Sequence, residues 1–159
     1  MRVKKMDLLQ ELKTLISKLK EEKIDFALCG GLAMAVYAFP RATMDIDIMI
    51  KPESLARVKE IAGRLGFSLD TGSLKFKGGK IEIYRLCKIE DESGDELLLD
   101  LLFVTPEIND VWESRKDVLW EGGAIPIVSP EGLIRLKSLR GSGQDADDIK
   151  HLKGLIDED

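Results

Sequence analysis

The apolar positions of the chain change period along its length, and each change marks an element. Leu8, Leu9, Leu12, Leu15, Ile16 and Leu19 recur at the spacing of one helical face, so residues 6–22 read as an amphipathic helix. Residues 24–29 form a short apolar run, a buried strand that ends at Gly30-Gly31. Residues 32–39 read as a helix of small and apolar side chains stopped by Pro40, which removes a backbone donor and biases its predecessor away from helical geometry. Residues 44–50 return to strand, and Pro52 and Glu53 open a third helix that runs to about residue 65.

From residue 67 to 104 the pattern is β throughout. Residues 74–77 and 81–89 flank Gly78-Gly79, a dipeptide suited to a tight hairpin because both residues can take positive φ. A second turn at 92–95 leads into residues 97–104, an apolar run interrupted only by Asp100. Residues 125–128 read as a last strand, Pro130 starts a helix over 131–139, Gly141 to Gly143 break it, and 145–156 form the final helix. The prediction is an α/β or α+β fold with a mixed central sheet flanked by helices. One domain is expected over residues 1–159: an N-terminal helix (1–23), a sheet core (24–128) and C-terminal helices (129–159).

Composition narrows the function classes. A chain of 159 residues, 44% of them hydrophobic, can bury one real core. A net charge of −5 argues against generic duplex DNA binding, which needs clustered Lys and Arg. Cys29 and Cys87 form no CxxC pair, and with a single histidine, His151, the chain lacks the ligands of an ordinary zinc site, so any metal would be held by oxygen. The charged N-terminus lacks the apolar core of a signal peptide, and no run approaches the ~20 apolar residues of a membrane span. A reduced, cytoplasmic protein is expected.

The candidate chemistry lies in Asp45-Ile46-Asp47. In a strand, residues i and i+2 share a face, so the two carboxylates project together. They repel each other, and burial raises the cost unless a cation intervenes. Magnesium is hard, prefers oxygen and is held by one or two carboxylates plus phosphates and waters. Asp100 adds a third acid from another strand; if that strand lies beside the first, the three could hold two ions ~3.5–4 Å apart. Gly30-Gly31, between a strand and a helix, lets backbone N–H groups approach a phosphate without Cβ obstruction. Phosphate at one end and metals at the other imply a nucleoside triphosphate between them.

These residues resemble the nucleotidyltransferase superfamily that includes DNA polymerase β. Pro40-Arg41-Ala42-Thr43-Met44-Asp45-Ile46-Asp47 is similar to the Arg-x-Thr-x-Asp-[Ile/Leu]-Asp form of its AbiEii-like, abortive-infection toxin branch. The tail, Ser129-Pro130-Glu131-Gly132-Leu133-Ile134-Arg135-Leu136-Lys137 with Arg140, Asp145, Asp148 and Ile149, resembles that branch's ending. The resemblance implies a nucleotidyltransferase fold, Asp45, Asp47 and Asp100 as catalytic metal ligands, and Asp100 also as a base. It further implies Gly30 and Gly31 as phosphate cradle, with Lys137 as a nucleotide contact; Thr43, in the loop before the acids, could also reach phosphate. Its cofactors would be two Mg²⁺ ions, with Mn²⁺ as a substitute, and its co-substrate a nucleoside triphosphate; the nucleotide would pass to the hydroxyl of an RNA end, a small molecule or a protein. Gln144 stands where the branch commonly has Lys or Arg, and the chain ends where full-length toxins carry a further C-terminal domain.

Several readings stay open at this level. Asp100 could face solvent with Leu97, Leu99 and Leu101 inward. Lys75, Lys77 and Lys80, with Arg85 and Lys88 nearby, read either as a basic face for phosphate or as a solvated outer edge. Arg41 could reach phosphate or pair with Asp145 or Asp148. Trp112 and Trp120 are expected in the core or an interface, Cys29 as a small buried residue, and His151 has no role. The alternative function is a catalytically silent nucleotide-binding or toxin–antitoxin-type regulatory protein of the same fold; a homodimer or protein partner is compatible with either.

Overall fold

Asp7 starts the first helix by accepting hydrogen bonds from the backbone N–H groups of Leu9 and Gln10, two donors the first turn cannot satisfy itself. From there the computed structural model describes residues 7–37, 45–120, 122–140 and 143–157. The elements are α1 (Leu8–Glu21), β1 (Ala27–Cys29), α2 (Gly30–Val36), β2 (Asp45–Ile50), α3 (Leu55–Arg64), β3 (Leu69–Phe76), β4 (Ile81–Ile89) and β5 (Glu96–Phe103). They continue with α4 (Asn109–Glu113), β6 (Lys116–Trp120), β7 (Gly123–Ile127), α5 (Pro130–Arg140) and α6 (Gly143–Asp157).

The strands form one mixed sheet in the order β3-β4-β5-β2-β1-β7-β6. β2 runs parallel to β5 and β1 parallel to β7, while the remaining neighbours are antiparallel. Because side chains alternate, the sheet has two distinct faces. On one, Ile46, Ile48 and Ile50 of β2 lie beside Leu99, Leu101 and Phe103 of β5, and Tyr84 and Leu86 of β4 continue the rows. Helices α1 and α3 cover this face: Glu11 pairs with Lys88 at 2.8 Å, and Lys59 donates to Tyr84 at 3.1 Å. Leu12, Leu15, Leu19, Val58 and Ile61 fill the layer between. Burial of such side chains is the main stabilising term, at about 25 cal/mol per Å². Asp45, Asp47, Asp100 and Arg85 stand on the other face.

Several boundaries differ from the pattern-based expectation. β3 begins at Leu69 rather than 74, because its register shifts between Asp70 and Gly72, and that irregularity interrupts the alternation a strand would show. The second helix starts at Gly30 itself, and the third begins with a 3-10 turn at Pro52–Ser54. α4 and β6 were not anticipated: α4 is five residues long, and β6 is a largely exposed outer strand paired only with β7. Trp112 is buried in the core, and Trp120 packs half-buried against it.

Candidate active site

Three neighbouring strands set the site. Asp47 of β2 is the register partner of Asp100 on parallel β5, and Asp100 is in turn the register partner of Arg85 on antiparallel β4. Adjacent strands lie ~4.8 Å apart, so Asp47, Asp100 and Arg85 form a row across the sheet. Asp45 stands two residues before Asp47 on the same face. Asp100 is only 6% exposed, which overturns the solvent-facing reading of that residue: β5 is buried on both faces in its centre, as a strand with a parallel neighbour usually is.

A buried carboxylate needs partners, and Arg85 supplies them. Its Nε donates to Asp100 Oδ1 at 2.7 Å and its Nη2 to Oδ2 at 3.0 Å, a fork that engages both oxygens. Arg85 therefore does not join a basic strand face with Lys88, whose side chain emerges on the opposite side and pairs with Glu11. Lys75 is exposed on β3, the outer strand of the sheet, where a charged edge resists unwanted pairing.

Gly30 and Gly31 line the same cleft as the three carboxylates. Gly30 has φ +69°, a conformation glycine takes without strain. Cys29 precedes it, opposite Asp47 in register and almost fully buried. Burial pushes its thiol pKa well up, and the charge of Asp47 adds to the shift, as for a small buried residue.

Helix α5 forms the facing wall. Ser129 caps it, its Oγ accepting from Gly132 N at 3.0 Å, with Pro130 at the first position. Tyr37, just after α2, donates its hydroxyl to the Val128 carbonyl at 2.9 Å and ties the glycine segment to the start of α5. Lys137 points from α5 into the cleft, and its Nζ lies 3.0 Å from Asp148 Oδ2 of α6, both residues being buried. The cleft between sheet and helix has a volume of about 410 Å³. Besides the carboxylates its lining carries Lys77, Arg85 and Lys137 and an apolar part, with Ile81, Ile83 and Leu102 on the sheet and Leu133 and Leu136 on α5.

The arrangement brings together six of the seven residues singled out from sequence: Gly30, Gly31, Asp45, Asp47, Asp100 and Lys137 all line this cleft. Thr43, like Arg41, lies outside the described residues, and the same holds for the side chains of Arg140, Gln144 and Asp145. The fork from Arg85 and the partnership of Lys137 with Asp148 escaped sequence reasoning, since both depend on strand register and helix packing.

The donor set suits a hard cation in part. Among the described residues, no three His, Cys, Asp or Glu side chains converge as a ready-made metal cage. Asp45 and Asp47, on one face of β2 and lining the open cleft, are oxygen donors that suit a hard divalent cation. Asp100, the third expected ligand, has both oxygens held by Arg85. Among the described residues no helix is long and apolar enough to cross a membrane.

A mixed sheet with two acids on one strand and a third on its parallel neighbour, beside a glycine pair, is the arrangement that the resemblance to nucleotidyltransferases implied. A family model described as "Uncharacterised nucleotidyltransferase" matches residues 1–157, and the chain belongs to that family. The family is named for the class and not for the AbiEii-like branch. Among solved structures, the chain is similar to a Thermotoga maritima protein, TM1012, assigned as a nucleotidyltransferase, with 19% identity, 95% of this chain and 93% of that one covered, and a TM-score of 0.58. It is also similar to the antibiotic-resistance factor ANT(2'')-Ia in its solution structure, with 16% identity, 95% and 86% covered, and a TM-score of 0.65. A crystal structure of ANT(2'')-Ia in complex with adenylyl-2''-tobramycin gives 13% identity, 93% and 88% covered, and a TM-score of 0.66. At these identities the likeness is one of fold. No curated protein matches the chain.

Proposed function

We propose that the protein transfers a nucleoside monophosphate from a nucleoside triphosphate to an acceptor hydroxyl, releasing pyrophosphate. One observation carries the reading: Asp47 and Asp100 are register neighbours, with Asp45 on the same face, in the cleft that also contains Gly30 and Gly31. The backbone of Gly30 and Gly31 holds the triphosphate, because no Cβ blocks its approach. Lys137 and Thr43 add contacts to it. Asp45 and Asp47 would hold Mg²⁺ or Mn²⁺, with Asp100 as the third ligand of a two-ion site; bound there, the ions neutralise the phosphates and stabilise attacking and leaving oxygens. The acceptor oxygen attacks the α-phosphorus in line, the bond to pyrophosphate breaks, and Asp100 takes the hydroxyl proton.

The cleft also bears on the acceptor. Among the described residues its lining carries Lys77, Arg85, Lys137 and apolar side chains but no acid besides the three carboxylates, which favours an uncharged or anionic acceptor over a polycationic one. The Arg41-to-Asp47 spacing and the Ser129-to-Ile149 tail support the AbiEii-like branch within the class.

Titration of each non-hydrolysable nucleoside triphosphate analogue, with and without Mg²⁺, tests the nucleotide site. Binding is expected to require Mg²⁺ and to weaken about tenfold or more in Asp47→Asn, the loss expected for a charged ligand contact. Binding that ignores both the metal and the substitution would contradict the assignment.

A further inference from the structure

The guanidinium of Arg85 occupies the one carboxylate that the two-ion reading needs most. Asp100 is buried, sits between Asp47 and Arg85 in the cross-strand row, and gives both oxygens to Arg85 at 2.7 and 3.0 Å. A forked Arg–carboxylate pair has a fixed geometry and is among the stronger hydrogen-bonded contacts; it takes one lone pair of each Asp100 oxygen and offsets the carboxylate's charge, so a cation competes with the guanidinium for Asp100 while the fork is closed. Arg85 also lines the cleft and is about one-third exposed, so its head has room to leave.

We propose that Arg85 is a resident counter-ion: it holds the Asp100 carboxylate in place in the nucleotide-free protein, competes there with a divalent metal, and yields Asp100 when the metal arrives with a triphosphate. Three acids would otherwise crowd this face with repelling charge, and Arg85 offsets that charge when no metal is present. The consequence is a gate on metal loading. A divalent ion alone competes poorly with the fork, whereas an ion delivered with a triphosphate brings phosphate oxygens that can take over the guanidinium, so the two substrates load together. Arg85 is thus a positioning residue whose partner changes during the cycle. The inference rests on the metal-site reading above and extends it.

Mn²⁺ titration of the full chain without nucleotide, followed by electron paramagnetic resonance, separates the two. For Arg85→Met we expect Mn²⁺ affinity to rise about tenfold over wild type, as expected when a competing charge-assisted contact is removed. Adding Asp100→Asn to that variant should cancel the gain. Arg85→Lys keeps the charge but loses the fork, and should give an intermediate rise; it decides the matter if thermal unfolding shows that Arg85→Met does not fold. Unchanged or weaker Mn²⁺ binding in the folded variants overturns the gate. If Mn²⁺ binding survives Asp47→Asn unchanged in every background, the metal-site reading itself fails, and the two failures are distinct.

Discussion

Gly30 lies directly beneath Asp47: a Cβ built on Gly30 would sit 2.7 Å from the Asp47 carboxylate carbon. The same residue has φ +69°, so the glycine is required twice, once by the backbone and once by the carboxylate. Gly30→Ala is expected to destabilise the fold by about 1–2 kcal/mol from the left-handed backbone alone, and to displace Asp47 besides. Gly63, in the last turn of α3, provides the contrast, since a Cβ there meets nothing within 4 Å. Gly63→Ala should stabilise by roughly 0.5–1 kcal/mol. Urea unfolding of both variants checks the opposite signs.

The second expectation concerns the buried pair of Lys137 and Asp148, which joins α5 to α6 at the cleft wall. Removing one member takes a buried ion-pair contact from the other, so Asp148→Asn and Lys137→Met should each cost about 3 kcal/mol. Because both act on one contact, the double variant should cost clearly less than the sum. Additive losses in chemical unfolding would show that the two side chains stabilise the protein separately.

Alkaline stability should report on Tyr37. Burial raises its pKa from 10 to about 12, with the Glu131 charge adding to the shift, and its hydroxyl donates to Val128 at 2.9 Å. Between those values the unfolded chain has lost the phenolic proton while the folded protein keeps it, so stability falls as pH rises from about 10 to 12. Tyr37→Phe should lose about 1 kcal/mol near neutrality, the typical net value of one hydrogen bond, and show a shallower decline over that window. Thermal unfolding across the pH series of both proteins makes the comparison.

Much of the site was legible because it depends on local period. Asp45 and Asp47 share a face by strand alternation alone, and the position of Gly30-Gly31 between strand and helix needs only the change of pattern. Asp100 was visible as a lone acid in an apolar run, but its burial and its adjacency to Asp47 required the parallel pairing of β2 with β5. Arg85 was illegible for the same reason. Among Lys75, Lys77, Lys80 and Lys88 it reads as one more cation, and only the antiparallel register with β5 turns it onto Asp100. β6 was missed because its alternation is weak: Lys116 and Asp117 occupy both faces of its start, and Leu119 is 85% exposed. Helix α4 has only five residues, too few for helical periodicity to register.

If Asp47 serves nucleotide transfer, label should pass from substrate to product. The purified protein would be incubated with each α-labelled nucleoside triphosphate, Mg²⁺ or Mn²⁺, and RNA, protein and small-molecule acceptors in turn. Label is expected on an acceptor, with pyrophosphate released in equal amount, and a loss of about a hundredfold or more in Asp47→Asn, as for removal of a key charge-stabilising group. Transfer at near wild-type rate in a folded Asp47→Asn protein would contradict that role.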